Sequence, residues 1–151
     1  MNQNELFHVG VVVPEIMAAR ARFAELLGTV WGPVTEFDSE LRDAAGDDFR
    51  LVVKACFSTV APYLELIEAI PGSYLECNEG SNIHHIGFWS TALAEESARL
   101  TAARCPLLVC GRQDDQAPAL VAFHRDFGVR FELCDIAQQP FMEQNLCVAT
   151  G

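Results

Sequence analysis

A duplicated pattern constrains this chain more than any other feature in it. Phe7-His8-Val9-Gly10-Val11-Val12-Val13 is matched 77 residues later by Asn82-Ile83-His84-His85-Ile86-Gly87-Phe88-Trp89. Each run holds a His, a β-branched residue and a Gly, and an amphipathic helical pattern follows each one. A second pair of apolar runs agrees as well: Leu64-Glu65-Leu66-Ile67-Glu68 with Phe131-Glu132-Leu133-Cys134-Asp135, at an offset of 67. The second copy is therefore about ten residues shorter in its middle. A repeat of this length must bury one shared core, because one unit cannot cover its own apolar face.

Periodicity supplies the elements. Residues 6–13 predict a strand, and residues 15–27 a helix with Ile16, Ala19, Phe23 and Leu26/Leu27 on one face. Pro14 suits its first turn and Gly28 its stop. Residues 31–37 predict a short kinked strand, followed by a solvated acidic loop over 38–48. Strands follow at 49–57 and 63–69. Pro71 to Ser81 reads as a linker. The second copy predicts a strand at 83–90, a helix over about 92–104 capped by Ser90 or Thr91, and strands near 107–111, 119–125 and 129–136. Each copy is thus strand, helix, strand, strand, strand. The expected fold is α+β: paired βαβββ modules forming a half-open curved β-barrel with helices outside. One domain covers 1–151, with modules at about 5–70 and 82–137, and a tail 138–151 that packs on the domain or on a second subunit.

Charge and composition exclude partner classes. Ten basic against 21 acidic residues leave a formal charge of −11. Nucleic acid and anionic membranes need clustered Lys and Arg, so neither is an expected partner. No stretch approaches a membrane span, and the polar start, Met1 to Glu5, lacks the basic and apolar regions of a signal peptide. Six cysteines at 56, 77, 105, 110, 134 and 147 show no CxxC spacing. Free, mostly buried thiols in a reducing cytoplasm are expected.

The repeat also selects the chemistry. Side chains alternate along a strand, so His8 shares its face with Leu6, Gly10 and Val12, and His85 with Ile83, Gly87 and Trp89. Glu65 lies with Tyr63 and Ile67, and Glu132 with Arg130 and Cys134. The Gly two residues beyond each His leaves room for an ion or substrate. Singly, a strand His or Glu is most often structural. Kept in both copies at matching places, His8, Glu65, His85 and Glu132 instead form a two-His, two-Glu set suited to one divalent ion such as Zn, Co, Ni, Mn or Fe. By alternation His84 faces away from His85 and reads as structural, while Glu68 and Asp135 point away and read as solvated.

These four strands resemble those of the vicinal oxygen chelate superfamily, which includes glyoxalase I, methylmalonyl-CoA epimerase, extradiol dioxygenases and bleomycin- and fosfomycin-resistance proteins. The resemblance runs over about residues 6–136 and is strongest to the epimerase branch. It implies that His8, Glu65, His85 and Glu132 are the metal ligands, and that the protein is a homodimer. A complete ligand set implies an isomerase or epimerase moving a proton beside a carbonyl, with lyase or cyclase chemistry as the alternative. A sequestering protein that holds a small hydrophobic molecule is the competing class. Glu132, Glu36 (with Glu40) and His124 are candidate proton-transfer groups, and a hydrogen bond at the strand end is the plainer role for His124. Tyr63, Ile67, Trp89, Phe123 and Arg130 are candidate substrate contacts. Two departures from the epimerases stand out: the short segment 124–128 before the last ligand strand, and the single lysine, Lys54. Both weaken the case for an acyl-CoA, and the substrate expected is a neutral, hydrophobic or aromatic carbonyl metabolite or, equally, an acyl-CoA.

Overall fold

Period-two runs of β-branched and aromatic residues produce eight strands in the computed structural model, which describes residues 5–77 and 82–149. The first module comprises β1 (Leu6–Val13), α1 (Ile16–Leu27), β2 (Thr35–Asp43), β3 (Asp48–Phe57) and β4 (Tyr63–Glu68). The second comprises β5 (Ile83–Ser90), α2 (Leu93–Ala102), β6 (Leu107–Gly111), β7 (Val121–Asp126) and β8 (Val129–Asp135). Residues 1–4 and 78–81, the latter the end of the expected linker, lie outside the described residues.

The strands form one curved barrel in the order β1-β4-β3-β2-β6-β7-β8-β5. Two parallel pairs, β1 with β4 and β5 with β8, flank an antiparallel seam between β1 and β5. That arrangement relates the modules by an approximate two-fold axis through the seam. The expected half-open barrel closes at β2 and β6, through a short ladder from Leu41↔Gly111 to Asp43↔Val109. The helices lie outside, α1 against β4 and α2 against β6, β7 and β8.

Helix α1 begins at Glu15, whose carboxylate accepts from the Met17 and Ala18 amides, and ends at Gly28 in the left-handed region, φ 68°. Pro14 precedes this cap rather than sitting in the first turn. The predicted apolar face is only partly used: Ile16 is buried, but Leu26 and Leu27 are 59 % and 64 % exposed. The N-cap position of α2 is held by Ala92, which offers no side-chain cap, rather than by Ser90 or Thr91. Ser90 Oγ nonetheless accepts from the Ala92 amide and donates to Glu96.

The acidic segment 38–48 is not a loop. Residues 35–43 form β2 and pair with β3 from Thr35↔Ala55 to Arg42↔Asp48. Only 44–47 turn, where Asp43 Oδ1 accepts from the Ala45 and Asp47 amides. Charge density hid the alternation in the sequence, and cross-strand pairing resolves it: Arg50 binds Asp38 and Arg42 binds Asp48. The tail folds back on its own barrel, with Leu146 and Cys147 buried against Phe7, Phe57 and Trp89.

Candidate metal centre

Two local irregularities build the site. Along the β1–β5 seam, Leu6 pairs with Phe88 and His8 with Gly87, so Phe7 is an extra residue on β1. Further along, Gly10 pairs with His85 and Val11 with Ile83, so His84 is an extra residue on β5. Each bulge lies immediately before a ligand-candidate histidine and re-aims the side chains around it. Both bulges follow the two-fold axis, 77 residues apart. Simple alternation therefore fails here: Phe7 lines the interior while Leu6 is exposed, and His84 turns inward while Ile83 is exposed.

The same seam explains the two glycines. A Cβ on Gly10 would lie 2.2 Å from His85 Cε1, and one on Gly87 would lie 2.3 Å from His8 Cε1. Each glycine makes room for the histidine of the other module, its partner across the seam. The space expected for an ion or substrate is filled by an imidazole.

His8, Glu65, His85 and Glu132 converge. His8 Nε2 lies 3.2 Å from Glu65 Oε2 and 3.0 Å from Glu132 Oε2. His85 Nε2 lies 3.2 Å and 3.1 Å from the same oxygens, and the two Nε2 atoms are 2.6 Å apart. Metal–ligand bonds of about 2.0–2.2 Å place donors at right angles roughly 3 Å apart, so the oxygen–nitrogen spacings fit one small cation. Glu132 Oε2 is buried without a hydrogen-bond partner, as is His8 Nδ1. An orphaned carboxylate oxygen facing two imidazoles is costly unless a cation completes it. The donor chemistry and this oxygen both fit a divalent ion. The Cys134 thiol adds a possible donor, since His8, Glu132 and Cys134 keep ligand atoms within 4.8 Å of one another.

Electrostatics agree. Burial by itself would lower the His85 pKa, but the Glu132 and Glu65 carboxylates outweigh it and push it up to about 10. Burial would raise the Glu132 carboxyl, but the His85 and His8 imidazoles hold it well below the usual range. His84 differs: burial and the neighbouring His85 push its pKa down to about 4. It contacts His85 Nδ1 through its own Nδ1 at 2.9 Å and the Tyr74 carbonyl through Nε2 at 2.8 Å.

A cavity of about 650 Å³ opens onto the cluster. Ile67, Trp89 and Phe123 line it as expected, and so do Glu36 and Glu40 at its mouth. Three expected residues do not. Tyr63 packs edge-on to Phe7 at 5.7 Å, in the core beneath the tail. Arg130 pairs in register with Arg125 towards the end of β7 and β8, away from the cavity. His124 lies on the outer face of β7, where Nε2 meets Ser97 Oγ at 2.8 Å and Nδ1 meets the Cys105 carbonyl at 2.9 Å. His124 therefore does not reach the cavity, because the sheet lies between them and α2 covers its outer side; its hydrogen bonds tie that helix and the Cys105 carbonyl to β7. Alternation missed Phe7, stacked on Trp89 at 4.0 Å, and Tyr74, which came from the presumed linker. Only the alignment of Phe7 with His84 between the copies carried a signal for the bulges.

The family model for the Glyoxalase/Bleomycin resistance protein/Dioxygenase superfamily matches residues 7–131. The chain belongs to this superfamily. Among solved structures it is similar to methylmalonyl-CoA epimerase from Mycobacterium tuberculosis, with 16 % identity, 87 % of each chain covered and a TM-score of 0.59. A substituted Streptomyces coelicolor methylmalonyl-CoA epimerase in complex with 2-nitronate-propionyl-CoA gives 14 %, 97 % of each chain and 0.57. A hypothetical protein from Bacillus halodurans C-125 gives 21 %, 86 % of this chain, 92 % of that one, and 0.53. Identities this low establish the shared vicinal oxygen chelate fold and not a shared reaction. No curated protein matches.

Proposed function

We propose that the protein is a metal-dependent isomerase or epimerase that moves a proton beside a carbonyl of a neutral, hydrophobic metabolite. The observation that carries this is the convergence of His8, His85, Glu65 and Glu132, with a buried Glu132 oxygen that no hydrogen bond satisfies. In this reading those four residues hold one divalent ion. A bound divalent ion supplies Lewis acidity to the substrate oxygens, easing removal of the adjacent proton. Phe7, Trp89, Phe57 and Phe123 bind and orient a flat apolar body above the cluster. Glu36, on β2 at the cavity mouth, is the proposed proton acceptor because it is a lining carboxylate outside the ligand set. Glu132 is the second candidate. Lyase or cyclase chemistry would use the same ligands.

Charge at the mouth supports the neutral substrate. Glu36, Asp38, Glu40 and Asp114 line it against Arg50 and Arg112. Arg50 is paired with Asp38, and Arg112 lies within 3.4–3.9 Å of Asp48, Glu40 and Asp115. Lys54 is bound to Glu68 at 2.8 Å. Both cavity-lining arginines thus have carboxylates within 4 Å, although Arg112 Nε makes no hydrogen bond. We also propose a homodimer; Leu26, Leu27 and Val30 form an exposed apolar end to α1 that suits it, checked by sedimentation.

The test is metal content after purification without chelator. We expect about one divalent ion per chain, absent from the His8→Ala/Glu132→Ala double variant. Deuterium exchange at carbon beside a carbonyl then separates neutral ketones from acyl-CoA thioesters. A wild type that takes up none of Co, Ni, Mn or Zn overturns the proposal and favours a sequestering protein.

A further inference from the structure

The chemistry above gives His84 no task, although it is buried, inward-facing and hydrogen-bonded at both ring nitrogens. Its counterpart in the first module is Phe7, the other bulged residue. The two seats differ in kind. Phe7 meets His8 edge-on with ring centroids 4.5 Å apart and offers it no hydrogen bond, leaving His8 Nδ1 without a partner. His84 also stands edge-on to its neighbour, at 5.2 Å, but joins it nitrogen to nitrogen.

We infer that His84 is a positioning residue for His85, dictating which ring nitrogen carries the proton and keeping the Nε2 lone pair turned towards the cation. The inference rests on the metal reading of the four-residue cluster. A carbonyl can only accept, so the 2.8 Å contact with the Tyr74 carbonyl requires a proton on His84 Nε2. The lone pair of neutral His84 is then on Nδ1, and the 2.9 Å contact needs the proton to come from His85 Nδ1. In the neutral ring that binding a cation would require, His85 Nε2 is then the lone-pair donor, on the side of the Glu65 and Glu132 oxygens. Partners of this kind set ligand orientation and basicity. His8 has none, so the two imidazoles are unequal: His85 is preset, and His8 settles only when the ion arrives. The relay ends on the backbone of Tyr74, whose ring lines the cavity.

The experiment is chelator competition for Co(II) and Zn(II) with wild type, His84→Phe and His84→Asn, beside the Tm of each metal-free protein. Phe is what the first module carries at this position, so the bulge has a precedent for it within the same barrel. His84→Phe should bind the ions about 10- to 100-fold more weakly, while its metal-free Tm reports separately the cost of leaving the Tyr74 carbonyl and His85 Nδ1 unpaired. His84→Asn, which can still accept from His85 Nδ1, should recover most of that loss. Equal affinity in His84→Phe and wild type overturns the inference while leaving the metal reading intact. A wild type that binds neither ion overturns the metal reading and the inference with it, a result visible before any variant is made. Should His84→Phe not fold, His84→Leu removes the same two hydrogen bonds and makes the same comparison.

Discussion

At the scale of single residues, Gly10 and Gly87 are the most sensitive positions outside the ligand set. Their added Cβ atoms would fall 2.2 Å and 2.3 Å from the opposing imidazole carbons, well inside contact distance. The rings cannot yield without leaving the cluster. Gly87→Ala should therefore displace His8, weaken metal binding at least tenfold and cost about 1–3 kcal/mol of stability through overpacking. Metal titration and thermal melts of the two Ala variants check this. An unchanged metal affinity in either would mean that the seam relaxes more easily than its ladder suggests. The glycines were conspicuous in the sequence, being repeated in both copies, but their partner was not: only the antiparallel register sets Gly10 opposite His85.

At the scale of elements, α1 offers a clean separation of stability from function. Its start depends on the Glu15 carboxylate, which accepts from two of the first amides. Glu15→Ala leaves those donors to water and should cost about 1 kcal/mol, a fall in Tm of roughly 2–4 °C for a chain this size. Metal content should not move, because α1 lies outside the barrel. A loss of metal would show that the helix positions β1 more tightly than its contacts imply. The strands and helices were largely legible, since apolar periodicity survives in one sequence. The segment 35–43 was not, because its acids look solvated until Arg42 and Arg50 are seen across the hairpin.

At the scale of the whole molecule, the thiols set an alkaline limit. All six cysteines are free. Burial raises Cys56 to about 11, a rise only partly countered by Arg20, and burial with the nearby Glu143 raises Cys147 to about 12. A thiol whose folded pKa lies above its unfolded value contributes stability that is complete below the unfolded value. That contribution is lost as pH rises through the folded one. Stability should thus decline from about pH 9 towards 11 or 12, and Cys56→Ala should flatten the decline. Melts at pH 8, 9 and 10 check this; a flat profile in the wild type would show that the thiols do not control alkaline unfolding. Metal affinity should change the other way, weakening in acid as protons compete for His8, His85 and the carboxylates.

The sequence by itself determined the duplicated architecture and the four polar side chains that converge, because a repeat that keeps His and Glu at matching strand positions leaves one shared interior to put them in. What faces that interior was decided by the tertiary structure. Alternation is a local rule, and each bulge shifts it by one residue, admitting Phe7 and His84 and exposing Leu6 and Ile83. Depth is not local at all. Tyr63 and Arg130 occupy inward positions by count, yet the tail covers one and the end of the barrel holds the other. His124 reads as a catalytic candidate only until β7 is seen to turn it to the outer face, beneath α2. Pairing register and the packing of distant segments decide these cases, and neither is written within the few residues that surround each side chain.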